Sequence, residues 1–164
     1  MTAVAPLAGR SLEVVIKGAI LTVLVAYLGF GLITASNTLG CDFLAYFNAA
    51  TAWFAGQPIY DPAVTSTGTC GIYQYPPPFV LLAAPFSLFG FATGTWLWIG
   101  FLIACWVVGT AILPVPAAIR WIVLLLGSIS WPLVFGVRIG QVTPLLYLVF
   151  AVAWRSLDRP TWLG

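Results

Sequence analysis

The chain has 164 residues, of which 62% are hydrophobic and 6% charged, with a mean hydropathy of +1.06. An ordinary soluble domain carries roughly 25% charged residues, so this composition excludes water as the main solvent and predicts an integral membrane protein. Six Lys/Arg against four Asp/Glu leave too thin a basic surface for nucleic acid, and the absence of His with three scattered Cys excludes the usual zinc and haem ligand sets.

A bilayer core about 30 Å thick takes roughly 20 apolar residues per helical span, so residues 1–164 read as a single membrane domain of several helices. Residues 1–17, with Arg10 and Lys17, form a cytoplasmic N-terminus, and 18–35 form the first transmembrane helix. The alternative is a cleaved signal peptide ending near Thr34-Ala35. Residues 36–76 then lie outside and hold Asp42 and Asp61. Phe43, Phe47, Ala50 and Phe54 recur at helical spacing, which predicts an interfacial helix over 43–55 closed by Gly56. Pro58, Asp61-Pro62 and Gly68 break regular structure after it, and a plain solvated loop is the competing reading.

Tyr75-Pro76-Pro77-Pro78 marks a helix start near Pro77, because first-turn N–H groups have no intrahelical partner to lose. That helix runs to about Gly90 and is short enough to be either a thin span or a re-entrant segment. Gly94–Leu113 is long enough to cross. Ile119–Val137, interrupted by Pro132, and Val142–Trp154 follow, before a polar tail over 155–164 with Arg155, Asp158 and Arg159. If every stretch crosses, that tail falls outside, against the positive-inside tendency. One stretch is therefore expected to be re-entrant: Pro77–Gly90 or the segment around Pro132.

Asp42 is the first candidate for chemistry. A carboxylate just outside the first span can take the proton of an attacking hydroxyl. It can equally act as the N-cap of the following helix, which would lower its pKa. Asp61, between Tyr60 and Pro62, favours local turn bonding. Arg120 and Arg138, at the ends of apolar stretches, either bind an anionic phosphate or snorkel to the interface. Cys41 and Cys70 both fall in the exported segment and are either bridged or free. Cys105 reads as a small apolar residue of a span.

Four segments carry a family resemblance: Cys41-Asp42-Phe43-Leu44-Ala45-Tyr46-Phe47-Asn48-Ala49-Ala50, Gly56-Gln57-Pro58-Ile59-Tyr60-Asp61, Tyr75-Pro76-Pro77-Pro78 and Gly140-Gln141-Val142-Thr143. In that order they resemble the N-terminal part of the family 87 glycosyltransferases, polytopic all-α enzymes of GT-C fold that include polyprenyl-phosphate-mannose-dependent mannosyltransferases. The resemblance implies transfer of a hexose, with inversion, from a polyprenyl-phosphate sugar to the hydroxyl of an acceptor glycolipid or glycan. It places the reaction at the outer face of a bacterial inner membrane, with no cofactor and no metal. It implies Asp42 as the base and leaves Gln141 able to hydrogen-bond a sugar or phosphate; with Tyr46, Asp61, Arg120 and Arg138, Gln141 makes up the candidate substrate-binding residues. Family members are more than twice this long, so the chain is expected to be an N-terminal portion truncated near its polar tail. A non-catalytic small membrane protein, such as an assembly partner or a lipid-carrier transport subunit, and an inactive fragment are the alternatives. An ion pathway is disfavoured by the near absence of ionisable residues in the spans.

Overall fold

Proline and glycine divide the apolar sequence into helices, and a computed structural model shows where each division falls. It describes residues 5–34, 38–65, 70 and 72–157, and all the elements among them are helical. They are α1 (Ala5–Ile33), α2 (Cys41–Phe54), α3 (Pro62–Thr65), α4 (Pro78–Ser87), α5 (Phe91–Ile112), α6 (Ala117–Ile129), α7 (Trp131–Ile139) and α8 (Thr143–Leu157). The expected features at Ala35, Ser36, Gly68, Asp158 and Arg159 lie outside the described residues.

α5 is the axis of the molecule. Its 22 residues, about 33 Å at 1.5 Å per residue, are long and apolar enough to cross a membrane. Its N-terminal end packs on α2, where Phe43 stacks on Phe91 at 6.2 Å and on Trp98 at 5.7 Å. At its other end the Ile112 carbonyl accepts from Arg155 Nη1 of α8 (3.4 Å), and Arg120 Nε donates to the Val115 carbonyl just beyond the helix (3.1 Å).

α6 and α7 return along the length of α5 as one broken traverse bent by 66°. Pro132 has no N–H to offer the Ser128 carbonyl, so the helix stops and restarts. Ser130 becomes the extended N-cap of α7 and accepts from the Leu133 N–H at 3.5 Å. α1 runs beside this pair in the same direction: Lys17 lies 5.5 Å from the Trp121 ring centroid near one end, and Gly31 packs on Val134 near the other. α8 then travels back along α5, from Leu145 against the Trp98 cluster, through Tyr147 beside Thr110 (3.1 Å), to Arg155 at Ile112.

α4 does not make such a traverse. It spans ten residues, and Phe79 and Phe86, at its two ends, lie 6.3 and 5.1 Å from the same ring, Trp98. The chain reverses through Gly90 (φ 75°) and brings α5 back to the α2 end. A Cβ on Gly94 would run into the Phe86 carbonyl, so α4 and α5 meet at backbone distance here. Both candidates for a re-entrant segment are marked by a change of direction: the chain reverses after α4, and the α6–α7 pair bends by 66° at Pro132, as a broken span or a re-entrant loop would. Lys17, Arg120 and Arg155 consequently share the half of the molecule away from Asp42.

α2 departs from its expected form. It starts two residues earlier than the periodicity predicts, and its buried face keeps Phe43 and Ala50 of the predicted stripe but adds Tyr46 and Ala49. Phe47 is half-buried and Phe54 is 64% exposed. The reason is enclosure from several sides: α4, α5 and α7 all pack against α2, and its alanines let them approach closely. The main core cluster is assembled around this helix, from α2, Ile59, Tyr73, the start of α4 and the first half of α5.

Candidate functional site

The head of α2 is held in place by residues distant in sequence. Gly40, its N-cap, has φ 70°, a left-handed conformation that glycine adopts without steric cost. The Gly40 N–H donates to the Arg138 carbonyl at 2.9 Å, and Arg138 Nε donates to Thr38 Oγ1 at 2.8 Å. Arg138 thus ties the last turn of α7 to the loop four residues before Asp42.

Gly140 closes the same junction. It ends α7 with φ 82°, its N–H and that of Gln141 returning to α7 carbonyls as in a glycine-terminated helix. Its carbonyl accepts from Trp98 Nε1 at 2.7 Å. A Cβ here would sit 3.0 Å from Phe43 Cβ and 3.2 Å from both the Phe43 nitrogen and Trp98 Cδ1. The Gly140-Gln141 segment therefore works as a close-packed seat for α2. The Gln141 amide lies over Gly136 of α7.

On the other side of α2, residues 72–77 are irregular but pinned. A disulfide joins Cys41 to Cys70 with their Cα atoms 5.1 Å apart. Tyr60 donates to the Tyr75 carbonyl at 2.8 Å, and Tyr73 donates to the Pro76 carbonyl at 2.9 Å. The Tyr75 ring stacks on Phe79 at 4.7 Å and meets Tyr46 edge-on at 5.1 Å. Asp61 Oδ1 accepts from the Ala63 N–H at 2.9 Å, the turn bonding expected of an Asp-Pro pair, and starts α3.

Asp42 lies between these two structures, in the first turn of α2. The N-cap reading is corrected: Gly40 occupies that position, and no side-chain hydrogen bond caps the helix. The expected lowering of the Asp42 pKa goes with it, because burial of the half-exposed carboxyl pushes it above its ordinary value. Starting the helix at Cys41 makes Asp42 its second residue, two positions past the N-cap, where capping geometry is lost and desolvation governs.

The carboxyl lines a recess of about 210 Å³. Buried Ala45 and Tyr46 form its floor, and Cys70, Ile72, Gln74 and Tyr75 its wall and rim. This is smaller than the ~300–1,000 Å³ of an enclosed drug-sized pocket and has room for one small polar molecule. Tyr46 is 1% exposed, and burial, reinforced by the neighbouring Tyr75, raises its hydroxyl far above the ordinary phenol value. That hydroxyl lies close to the Tyr75 side chain and the Val142 backbone, yet no hydrogen bond of good geometry reaches it. Tyr46 thus contributes a neutral ring to the recess.

Of the residues singled out from sequence, the structure gathers Asp42, Tyr46 and Cys70 at the recess, bridges Cys41 to Cys70, and sets Arg138 against the loop leading into α2. Asp61 stands apart in its own turn, and Arg120 is at the far end of α5. Ile72 and Gln74 were missed. Their signal is position alone, between Cys70 and the Tyr-Pro-Pro-Pro segment. Among the described residues no three His, Cys, Asp or Glu side chains converge in a way that could hold a metal ion.

Residues 73–164, more than half of the chain, match the family model described as glycosyltransferase family 87. The match takes in Tyr75–Pro78 and Gly140–Thr143 and begins beyond α2, which packs directly on those matched segments. No curated protein and no solved structure matches the chain.

Proposed function

The chain belongs to glycosyltransferase family 87, and from that premise we propose that it forms the part of a membrane glycosyltransferase in which Asp42 is the general base for sugar transfer from a polyprenyl-phosphate donor. The observation that carries this reading is the Asp42 carboxyl itself. It is half-buried, raised in pKa by desolvation, free of a capping role, and open to a recess at the head of a rigidly seated helix.

Asp42 takes the proton of an acceptor hydroxyl. The oxygen attacks the anomeric carbon of the donor hexose while the bond from that carbon to the phosphate oxygen breaks, and polyprenyl phosphate leaves with the electron pair. One displacement inverts the anomeric centre. Burial makes Asp42 a better proton acceptor than a solvated carboxylate, in line with the tuning of catalytic carboxyls toward neutral pH. Arg138 has committed Nε to Thr38, and its remaining N–H donors are suited to the charge that develops on the leaving phosphate. Mannose is the first donor sugar to test.

Two independent features support placing the reaction outside a bilayer. The disulfide at the recess belongs to an oxidising compartment. Lys17, Arg120 and Arg155 lie away from it, as the positive-inside tendency requires of a cytoplasmic face. Large apolar side chains project outward along α1, α5 and α8, among them Phe30 (67%), Trp96 (51%) and Phe150 (56%), which fits lipid rather than water around them. In this reading α1, α5, α6–α7 and α8 cross and α4 turns back, which is consistent with Arg155 and Lys17 lying at the same end of the molecule.

The test is Asp42→Asn in the full-length protein in native membranes. Transfer of radiolabelled mannose from polyprenyl-phosphate mannose is expected to vanish while thermal stability holds. Full transfer by the mutant overturns the assignment, and the non-catalytic alternative then stands.

A further inference from the structure

The recess has an asymmetry that bears on which substrate enters it. Its floor is apolar and buried, Ala45 at 4% and Tyr46 at 1% exposure. Its rim carries the exposed Gln74 amide and Ile72, with Tyr75 half-buried beside them. Residues 72–75 have no regular secondary structure, yet the segment is fixed by the hydrogen bonds of Tyr60 and Tyr73 and by stacking on Phe79, with the Cys41–Cys70 bridge just before it. Rigidity of this kind in an exposed polar segment lowers the ordering cost of binding a ligand.

Resting on the reading of Asp42 as base, we infer that Gln74 and Tyr75 form the acceptor subsite and hold the terminal pyranose ring of the acceptor against Asp42. A sugar ring presents adjacent hydroxyls, each both donor and acceptor, on one edge and C–H groups on its faces. The Gln74 amide supplies both a donor and an acceptor, and the Asp42 carboxylate supplies acceptors only. Ile72, Ala45 and the ring of Tyr75 supply an apolar surface for the C–H face. A general base must lie within roughly 2.6–3.2 Å of the oxygen whose proton it removes, so a sugar filling this recess is the one whose hydroxyl reacts. The donor phosphate is left to the Arg138 side of α2.

The experiment is saturation-transfer NMR on the full-length protein in nanodiscs, with the methyl glycosides of mannose, glucose and galactose as probes. At least one glycoside is expected to receive saturation from the wild type. Gln74→Ala is expected to weaken that binding about five-fold, the worth of one neutral hydrogen bond, while Gln57→Ala, an exposed glutamine beyond the end of α2, leaves it unchanged. Equal binding by wild type and Gln74→Ala, or no saturation of any glycoside, overturns the inference. The transfer assay separates this failure from that of the parent reading. Loss of transfer in Asp42→Asn with an unchanged acceptor KM in Gln74→Ala removes the subsite alone, whereas full transfer in Asp42→Asn removes both.

Discussion

Gly140→Ala is expected to be among the most damaging single-methyl changes in the molecule. Gly140 has φ 82°, and a side chain in the left-handed region costs about 1–2 kcal/mol. The added Cβ would also stand 3.0 Å from Phe43 Cβ and 3.2 Å from the Phe43 nitrogen, neither of which is the end of a flexible side chain. Overpacking of this kind costs a further ~1–3 kcal/mol. Gly56→Ala is the matched control. Its φ is 68°, but nothing lies within 4 Å of the new atom, so it carries the conformational cost alone. At about 2–4 °C per kcal/mol for a chain of this size, Gly56→Ala should lower Tm by a few degrees and Gly140→Ala by about twice that or more. Thermal unfolding of both variants in one detergent, followed by tryptophan fluorescence, measures the difference. Equal shifts would mean that α7 does not seat α2 through Gly140.

Breaking the Cys41–Cys70 bridge, by reductant or by Cys70→Ser, releases a loop with a sequence separation of 29. Loop-closure entropy puts the loss at about 3–4 kcal/mol, and Tm measured with and without reductant checks it. Asp42 has a pKa raised by burial, so its contribution to stability is present in acid and is lost as pH rises through the raised value. Asp42→Asn should therefore be no less stable than wild type at neutral pH, and wild type should gain on it as pH falls. A mutant about 1 kcal/mol less stable at neutral pH would restore the capping role. Transfer by the wild type should rise with pH on its acid limb through a pKa above the ordinary carboxylate range, as a pH–rate profile would record. Arg138→Gln should raise the KM for donor about ten-fold or more by removing a charge-assisted contact, and Arg120→Gln, at the far end of α5, should leave it unchanged.

Hydropathy and punctuation made much of the fold legible. The apolar run over 94–113 becomes α5, the prolines at 76–78 open α4, and Pro132 breaks the fourth stretch where its missing N–H requires. These are local effects, decided within a turn or two of the residue concerned. The partners of α2 were not legible, because periodicity gives a face and not what covers it. Phe54 fits the apolar stripe and ends up exposed, while Tyr46, off the stripe, is enclosed by Tyr73, Tyr75, Phe79 and Trp98. The reversal of α4 depends on Gly94 lying against the Phe86 carbonyl, a contact between elements that no single-segment pattern encodes. At the site, Asp42 stood out by its type and its place after the first span. Gln74 did not, because an exposed glutamine gains meaning only when folding lays it at the rim of the same recess.

For Asp42 to meet a lipid-linked donor outside the cell, the Asp42 end and the Arg155 end must face opposite sides of one bilayer. Gln57→Cys and Ser156→Cys, both at exposed positions, mark those two ends without touching the recess. With a membrane-impermeant maleimide, Gln57→Cys should label in intact cells and Ser156→Cys only after permeabilisation. Labelling of both from the same side, or of Ser156→Cys alone in intact cells, would contradict this placement.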